Sequence, residues 1–313
     1  MKSGFSHKLF ILAAALLTIS TSQARNVAPS SVTPFESSGN GPTHYIDFAN
    51  FQGVDNKTYT EFYFQVSYND LQFYKNGDHF EAGYALEFKV MDSDGNLLEH
   101  HETSDLFEVE SYAQTLSTQK ARVMLLGFTF EAGEYAIQSK MTDLETRETA
   151  TIERTLRIGA FATDDLTVSD LQLSQNISPA EPGQPYVKNQ RYIEPNAVRT
   201  FAHGLADIYV YFEVYNLMEN EAETPGKYEA YFIIKDESGQ LFARLKRDHD
   251  KPGNTSAHSI KLPIEYFKNG HYSLTVQIVD RDSGETTEST KDFTVLSRPF
   301  SAADFENEEP NRP

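Results

Sequence analysis

One pattern is written twice in this chain, and it constrains the fold more than any other feature. Residues 262–296 read LPIEYFKNGHYSLTVQIVDRDSGETTESTKDFTVL, and residues 125–158 read LLGFTFEAGEYAIQSKMTDLETRETATIERTLRI, about 137 positions earlier. Each copy holds a Gly-x-Tyr corner, Gly133 with Tyr135 and Gly270 with Tyr272. Strict alternation follows, with Tyr272, Leu274, Val276 and Ile278 set against Ser273, Thr275, Gln277 and Val279. A period of two puts one face inside and the other outside, which is a half-buried strand. A polar turn and a returning strand complete a hairpin, with Phe293 and Val295, or Leu156 and Ile158, facing inward.

The rest of the chain extends the duplication. Phe62, Phe64 and Val66 alternate with Tyr63, Gln65 and Ser67, and Val210, Phe212 and Val214 repeat that register. The run 84–90 matches 228–234, and the turn Asp92-Ser93-Asp94-Gly95 matches Asp236-Glu237-Ser238-Gly239. Equivalent landmarks lie 148, 144 and 137 residues apart, a drift of loop-sized steps. Short amphipathic strands, frequent turns and no helical period predict an all-β chain of two tandem immunoglobulin-like or fibronectin-like β-sandwiches. The Gly-x-Tyr corner resembles the tyrosine corner of such folds, in which the phenol bonds nearby backbone. The expected division is a signal peptide over 1–24, a mobile Ser/Pro/Asn/Gly-rich arm over 25–43, a first sandwich over 44–158, a linker over 159–165, a second sandwich over 166–297 and an acidic disordered tail over 298–313. The Pro-rich run 178–196 reads as a long loop crossing between sheets.

Lys2 and Lys8, the apolar run 9–17 and Ser22-Gln23-Ala24 have the order of an export signal with a cleavage site. Its removal leaves 25 basic side chains against 46 acidic ones, a net of about −21. So acidic a surface repels phosphate, which sets nucleic acid and anionic lipid aside as partners. Cysteine is absent, so disulfides and thiol chemistry are excluded. No further segment is apolar enough to span a bilayer as a helix, and the expected address is periplasm or cell surface.

The strings LTVSDLQLSQNI (166–177), Pro195-Asn196, YVYFEVYNL (209–217) and the closing KDFTVL (291–296) resemble the N-terminal β portion of bacterial GWxTD-domain proteins. Those are exported proteins of largely undefined role. The Gly-Trp-x-Thr-Asp motif itself is missing, because the chain has no tryptophan.

Candidate chemistry is sparse. His100 and His101 are adjacent and point to opposite faces of a strand, His249 and His258 flank a loop, and His44, His79 and His203 stand alone, so surface histidine is the expectation and no metal or cofactor is assigned. Serine nucleophiles lack the Gly-x-Ser-x-Gly elbow. Glu213, Glu229 and Asp236 are the acids whose convergence would revive a glycosidase-type pair. The Asp92 and Asp280 turns read as plain hairpin turns, with too few carboxylates for calcium. With Val210 and Phe212 inward, Tyr209, Tyr211 and Tyr215 point outward, joined by Tyr231 on the next strand, as a candidate interaction face. Either the first module or the Pro-rich run covers that face, or it meets a partner protein, a second copy or a glycan. The expectation is a non-catalytic binding or scaffold protein of the bacterial envelope that meets another envelope protein or itself. A surface carbohydrate-binding or adhesion module is the alternative, with a glycan less favoured because tryptophan is missing.

Overall fold

A computed structural model describes residues 34–55, 57–161, 164–204, 206–219 and 226–296. The signal region, residues 25–33 of the arm and the tail lie outside these. Fourteen principal strands carry the fold: β1 (His44–Gln52), β2 (Thr58–Ser67), β3 (His79–Met91), β4 (Leu97–Val109), β5 (Ala121–Phe130), β6 (Gly133–Asp143), β7 (Thr149–Ile158), β8 (Gln172–Pro179), β9 (Ile208–Tyr215), β10 (Lys227–Asp236), β11 (Leu241–Asp250), β12 (Ser256–Leu262), β13 (Gly270–Asp280) and β14 (Thr286–Leu296). In the first module β1-β2-β5 form one sheet and β7-β6-β3-β4 the other. The second module repeats this order as β8-β9-β12 and β14-β13-β10-β11.

The repeat extends to individual bonds. Tyr135 Oη donates to Glu131 O at 2.8 Å, and Tyr272 Oη donates to Lys268 O at 3.1 Å, four residues upstream in each case. Phe130 packs on Tyr135 with ring centroids 5.0 Å apart, and Phe267 packs on Tyr272 at 5.1 Å. The tyrosines therefore hold one structural position in two copies. Asp143 and Asp280 end β6 and β13, and each Oδ1 accepts backbone N–H groups of its own turn. Their second oxygens reach across the sandwich, accepting Gln72 N and Met218 N, each at 2.8 Å. The same turns need positive φ at one residue: Gly284 adopts 76° and Arg147 adopts 66°. Asp92 and Asp236 behave alike, with Gly95 and Gly239 supplying φ of 82° and 79°.

Each module closes on its own interior. Phe62, Phe64, Phe88 and Ile137 fill the first, and Phe212, Phe232, Leu274 and Val276 fill the second. Burying such side chains stabilises each module by about 1.5–3 kcal/mol per residue. Both modules leave a long edge strand, β4 and β11, largely exposed. In the second, His249 of β11 and His258 of β12 bring their rings within 4.6 Å and bridge the two sheet edges. Tyr228 lies beneath them, stacked on His249 at 5.2 Å and hydrogen-bonded to His258 and Ser256.

Three expectations change. Residues 35–39 are not part of a free arm: Phe35–Glu36 pairs with β1 and Ser38–Gly39 with β7. A Cβ on Gly39 or Gly41 would stand only 2.6 or 2.4 Å from the backbone at Thr149, so these glycines mark close approach and not looseness. Run 178–196 is not a crossing loop but a hairpin, in which β8 pairs with Arg191–Pro195 and that strand with Val187–Lys188. His44 and His258 are not surface groups. His44 is fully buried, its Nε2 3.0 Å from Ser139 Oγ of the facing sheet.

Replacing Arg147 with glycine removes the steric cost of a left-handed side chain and is expected to raise stability by about 0.5–1 kcal/mol in urea unfolding. A lowered midpoint would contradict the shared turn. Burial, for His258 joined by the neighbouring His249, pulls both His44 and His258 from 6.5 down to about 4. Between those values the unfolded chain binds protons that the folded chain refuses, so stability is full above pH 6.5 and declines as pH falls toward 4. The decline reaches at most about 1.4 kcal/mol per pH unit for each histidine. His44→Gln should flatten the slope measured between pH 6.5 and 4.5 by close to one proton, and an identical slope would exclude a neutral buried His44.

Candidate functional site

The outer face of a three-stranded sheet is ordinarily polar and solvated. Here both modules break that rule on the faces they turn to each other. Because Phe48, Phe62 and Phe64 face the first core, Asp47, Ala49, Phe51, Tyr63 and Gln65 must face out. They meet Ile193, Ala197 and Tyr211, and Ala49, Phe51, Tyr63, Ile193, Ala197 and Tyr211 form a separate apolar cluster. Tyr211 is fully buried there, 6.1 Å from Phe51, donating to Glu213 and accepting from Asn189 Nδ2 at 2.6 Å. Tyr215 is buried as well: it accepts Gln52 N at 3.1 Å, donates to Glu213 Oε2 at 2.8 Å and packs on Phe161 of the linker.

The tyrosine face is therefore divided. Tyr211 and Tyr215 are used within the chain, because the first module covers them. Tyr209 is half-buried with Lys261 over its ring. Tyr231 belongs to the opposite sheet, since β9 pairs with β8 and β12 whereas β10 pairs with β11 and β13. It lies half-buried between Arg244 and Lys246, bonded to Glu229. Gly133 and Gly270 open β6 and β13, with Tyr135 and Tyr272 two residues on, each bonded to backbone four residues upstream.

The seam also holds charge. Asp47 is 2% exposed, Arg199 2%, Lys291 0% and Asp170 5%. Arg199 Nη2 and Lys291 Nζ both bond Asp47 Oδ1, the latter at 2.9 Å, and Lys291 Nζ donates to Phe48 O at 2.8 Å. Asp170 Oδ2 accepts Asn50 N at 3.0 Å and Asn50 Nδ2 at 2.8 Å. Two carboxylates and two cations, drawn from both modules, thus balance in a region without solvent. Burial raises the Asp170 carboxyl and lowers Lys291; it opposes ionisation of Asp47 too, but Arg199 and Lys291 overcome it and hold that carboxyl low. The hairpin adds a second clamp. Lys188 Nζ bonds Glu61 Oε2 and Gln172 Oε1, both at 2.6 Å, and stands 3.9 Å from the Phe51 ring centroid. Tyr186 Oη donates to Val123 O at 2.6 Å.

Beside the seam lies a cleft of about 580 Å³, walled by both modules. Tyr45, Gln65, Asn69, Asp70 and Gln119 come from the first module, and Gln175, Asn196, Thr200 and Phe201 from the second. No Lys, Arg or His lines it, whereas Glu36 and Asp70 do. The volume is that of a small-molecule site.

Other titratable groups are scattered. Glu213 lies in the seam, Glu229 on the outer face of the β10 sheet and Asp236 in its own turn, so the three acids occupy three separate places. His79 is not isolated: it gathers with Glu81 and Glu108, and His100 gathers with Glu87 and Glu102. Glu81 is bonded by Tyr74 and Asn76, and Glu87 by Lys89, so both carboxylates already have protein partners. Among the described residues no helix is long and apolar enough to cross a membrane.

No family model matches this chain, and no curated protein matches it. Solved structures similar in part include a Bacteroides uniformis β-glucuronidase, at 12% identity over 75% of this chain and 26% of that one with a TM-score of 0.26. Latent dimeric PorU of Porphyromonas gingivalis gives 15% identity over 86% and 21%, with a TM-score of 0.28. A Legionella pneumophila DUF4785 family protein gives 6% over 77% and 58%, with a TM-score of 0.22. The chain spans about a quarter of the first of these, and scores of this size carry neither ligand nor activity across.

Removing one charge from the seam leaves another buried and uncompensated. Lys291→Met is expected to cost about 3–5 kcal/mol in chemical unfolding. Adding Asp170→Asn restores neutrality and should recover more than about 1 kcal/mol of that loss. Strict additivity of the two changes would rule out a coupled four-charge cluster.

Proposed function

We propose that this chain is an exported, non-catalytic binding protein of the bacterial envelope, in which two sandwiches act as one rigid body. The observation that carries this reading is the sealed seam. Independent modules on a tether expose polar outer faces, whereas these bury Tyr63, Tyr211, Asp47, Arg199 and Lys291 between them. A rigid body suits recognition because no ordering cost is met when a partner arrives. The signal-like start and the resemblance to GWxTD-domain proteins support the envelope address. The partner-facing surface is not Tyr211 or Tyr215, which are already engaged, but the surface that both modules present jointly.

The reading is tested with the mature chain as bait against envelope extract, comparing the wild type with Lys291→Met, in which the seam is loosened. A partner retained at stoichiometric level by the wild type and lost from the loosened variant supports it. Equal retention by both, or no retention by either, counts against a rigid two-module binding body.

A further inference from the structure

We infer that His79, Glu81 and Glu108 form a zinc-binding site on the outer face of the first module, with a fourth coordination position open to solvent; the site goes beyond the binding-protein reading and does not depend on it. Strand alternation assembles the group. Ala82, Tyr84 and Leu86 of β3 face the core, so His79 and Glu81 share the outer face. Glu81 stands directly opposite Glu108 of β4. The short strand Tyr74–Asn76 flanks β3 on its other side, with Tyr74 opposite Glu81 and Asn76 opposite His79. Side chains from three strands therefore meet on one face.

The spacing is that of metal ligands. His79 Nε2 lies 3.2 Å from Glu81 Oε1 and 3.5 Å from Glu108 Oε1, and the three atoms fall within 4.8 Å of one another. Zinc bonds of about 2.0–2.2 Å at the tetrahedral angle set ligand atoms about 3.3–3.6 Å apart, which both spacings fit. Hydrogen bonding alone does not account for them. Nε2 carries at most one hydrogen, which bonds one carboxylate oxygen in line and leaves the other facing a second negative charge. Like charges directly opposite across two strands are destabilising. Among the described residues no lysine or arginine forms an ion pair with Glu81 or Glu108. The same hairpin repeats the arrangement with a cation of its own: Glu87 stands opposite Glu102, His100 Nε2 lies 3.2 Å from each, and Lys89 places its ammonium on Glu87. There a lysine offsets the opposed charges; between Glu81 and Glu108 a divalent ion does so.

The ligands are also held and reachable. Tyr74 Oη and Asn76 Nδ2 donate to the two oxygens of Glu81, and these bonds hold its carboxyl below the ordinary range. Such outer bonds fix a ligand's orientation, and each carboxylate oxygen keeps a second lone pair for the ion. Side-chain exposure rises from 10% at Glu81 through 37% at His79 to 62% at Glu108, so Glu81 is the floor and the ion enters past Glu108. An imidazole nitrogen beside two carboxylates selects zinc over calcium and magnesium, which take oxygen ligands.

The experiment is calorimetric titration of the chelator-treated mature chain with zinc chloride, with calcium and magnesium chlorides as contrasts. One equivalent of zinc bound with a Kd of about 10 μM or tighter, and neither contrast ion at that strength, is expected. His79→Ala and, separately, Glu108→Gln should each weaken zinc binding by about tenfold or more, whereas His100→Ala should leave it unchanged. Glu108 is exposed, so its variant reports on the site without endangering the fold. In metal-free urea unfolding Glu108→Gln should raise the midpoint, because one of two opposed charges is gone. Added zinc should raise the midpoint of the wild type and not that of this variant. Zinc binding no tighter than about 1 mM, binding unchanged by both the His79 and the Glu108 variants, loss of binding on His100→Ala, or equal affinity for calcium would each overturn the proposal. A metal-free midpoint lowered by Glu108→Gln would do the same, since it would make the cluster a self-sufficient ion pair.

Discussion

Four buried charges and the aromatic contact around them hold this molecule in one arrangement. Asp47, Asp170, Arg199 and Lys291 come from strands and turns of both modules, and each is at most 5% exposed. Desolvating such groups costs several kcal/mol per ion, and their mutual attraction repays it only when the geometry is right. The seam is therefore selective as well as adhesive. A docking shifted by one strand register would strand unpaired charge in an apolar layer, while Phe51, Tyr63 and Tyr211 would still find hydrophobic cover. The apolar cluster supplies affinity between modules; the charges choose which docking is allowed.

That choice creates the cleft. Its walls come from β1 and β2 on one side and from Asn196, Val198 and Thr200 on the other, so neither module alone contains it. The turn that ends in Arg199 serves both features. Asn196 is part of the cleft wall, while Arg199, at a φ of 54°, places its guanidinium on Asp47. A left-handed arginine costs about 1 kcal/mol or more, and the ion pair it reaches offsets that cost. Rigidity of the seam and shape of the site are thus set by the same few residues.

The two copies diverge where they meet and agree where they close on themselves. Tyrosine corners, Asp-capped turns and strand order are shared, because each sandwich faces the same problem of sealing two sheets. The hairpin of residues 172–195 belongs to the second copy, and its Lys188 and Tyr186 grip the first. The histidine bridge of His249 and His258 over Tyr228 is likewise particular to the second copy, filling an open sheet edge with neutral imidazoles.

Periodicity two, turn chemistry and the repeat were enough to read the all-β fold class and to single out Tyr135 and Tyr272. These are local properties, fixed by which side of a strand a residue occupies. Lys291 shares the parity of Phe293 and Val295 on β14, but its partner Asp47 lies 244 positions away, and nothing local links them. Likewise, alternation showed Tyr211 and Tyr231 to be outward without showing which outside, since β9 and β10 enter different sheets. Glycines 39 and 41 looked flexible in composition and proved to be tight contacts. Strand faces follow from the chain alone because side-chain direction alternates with the backbone; the seam, the cleft and the meeting of His249 with His258 had to await three dimensions, because they depend on which sheets stack and at what register.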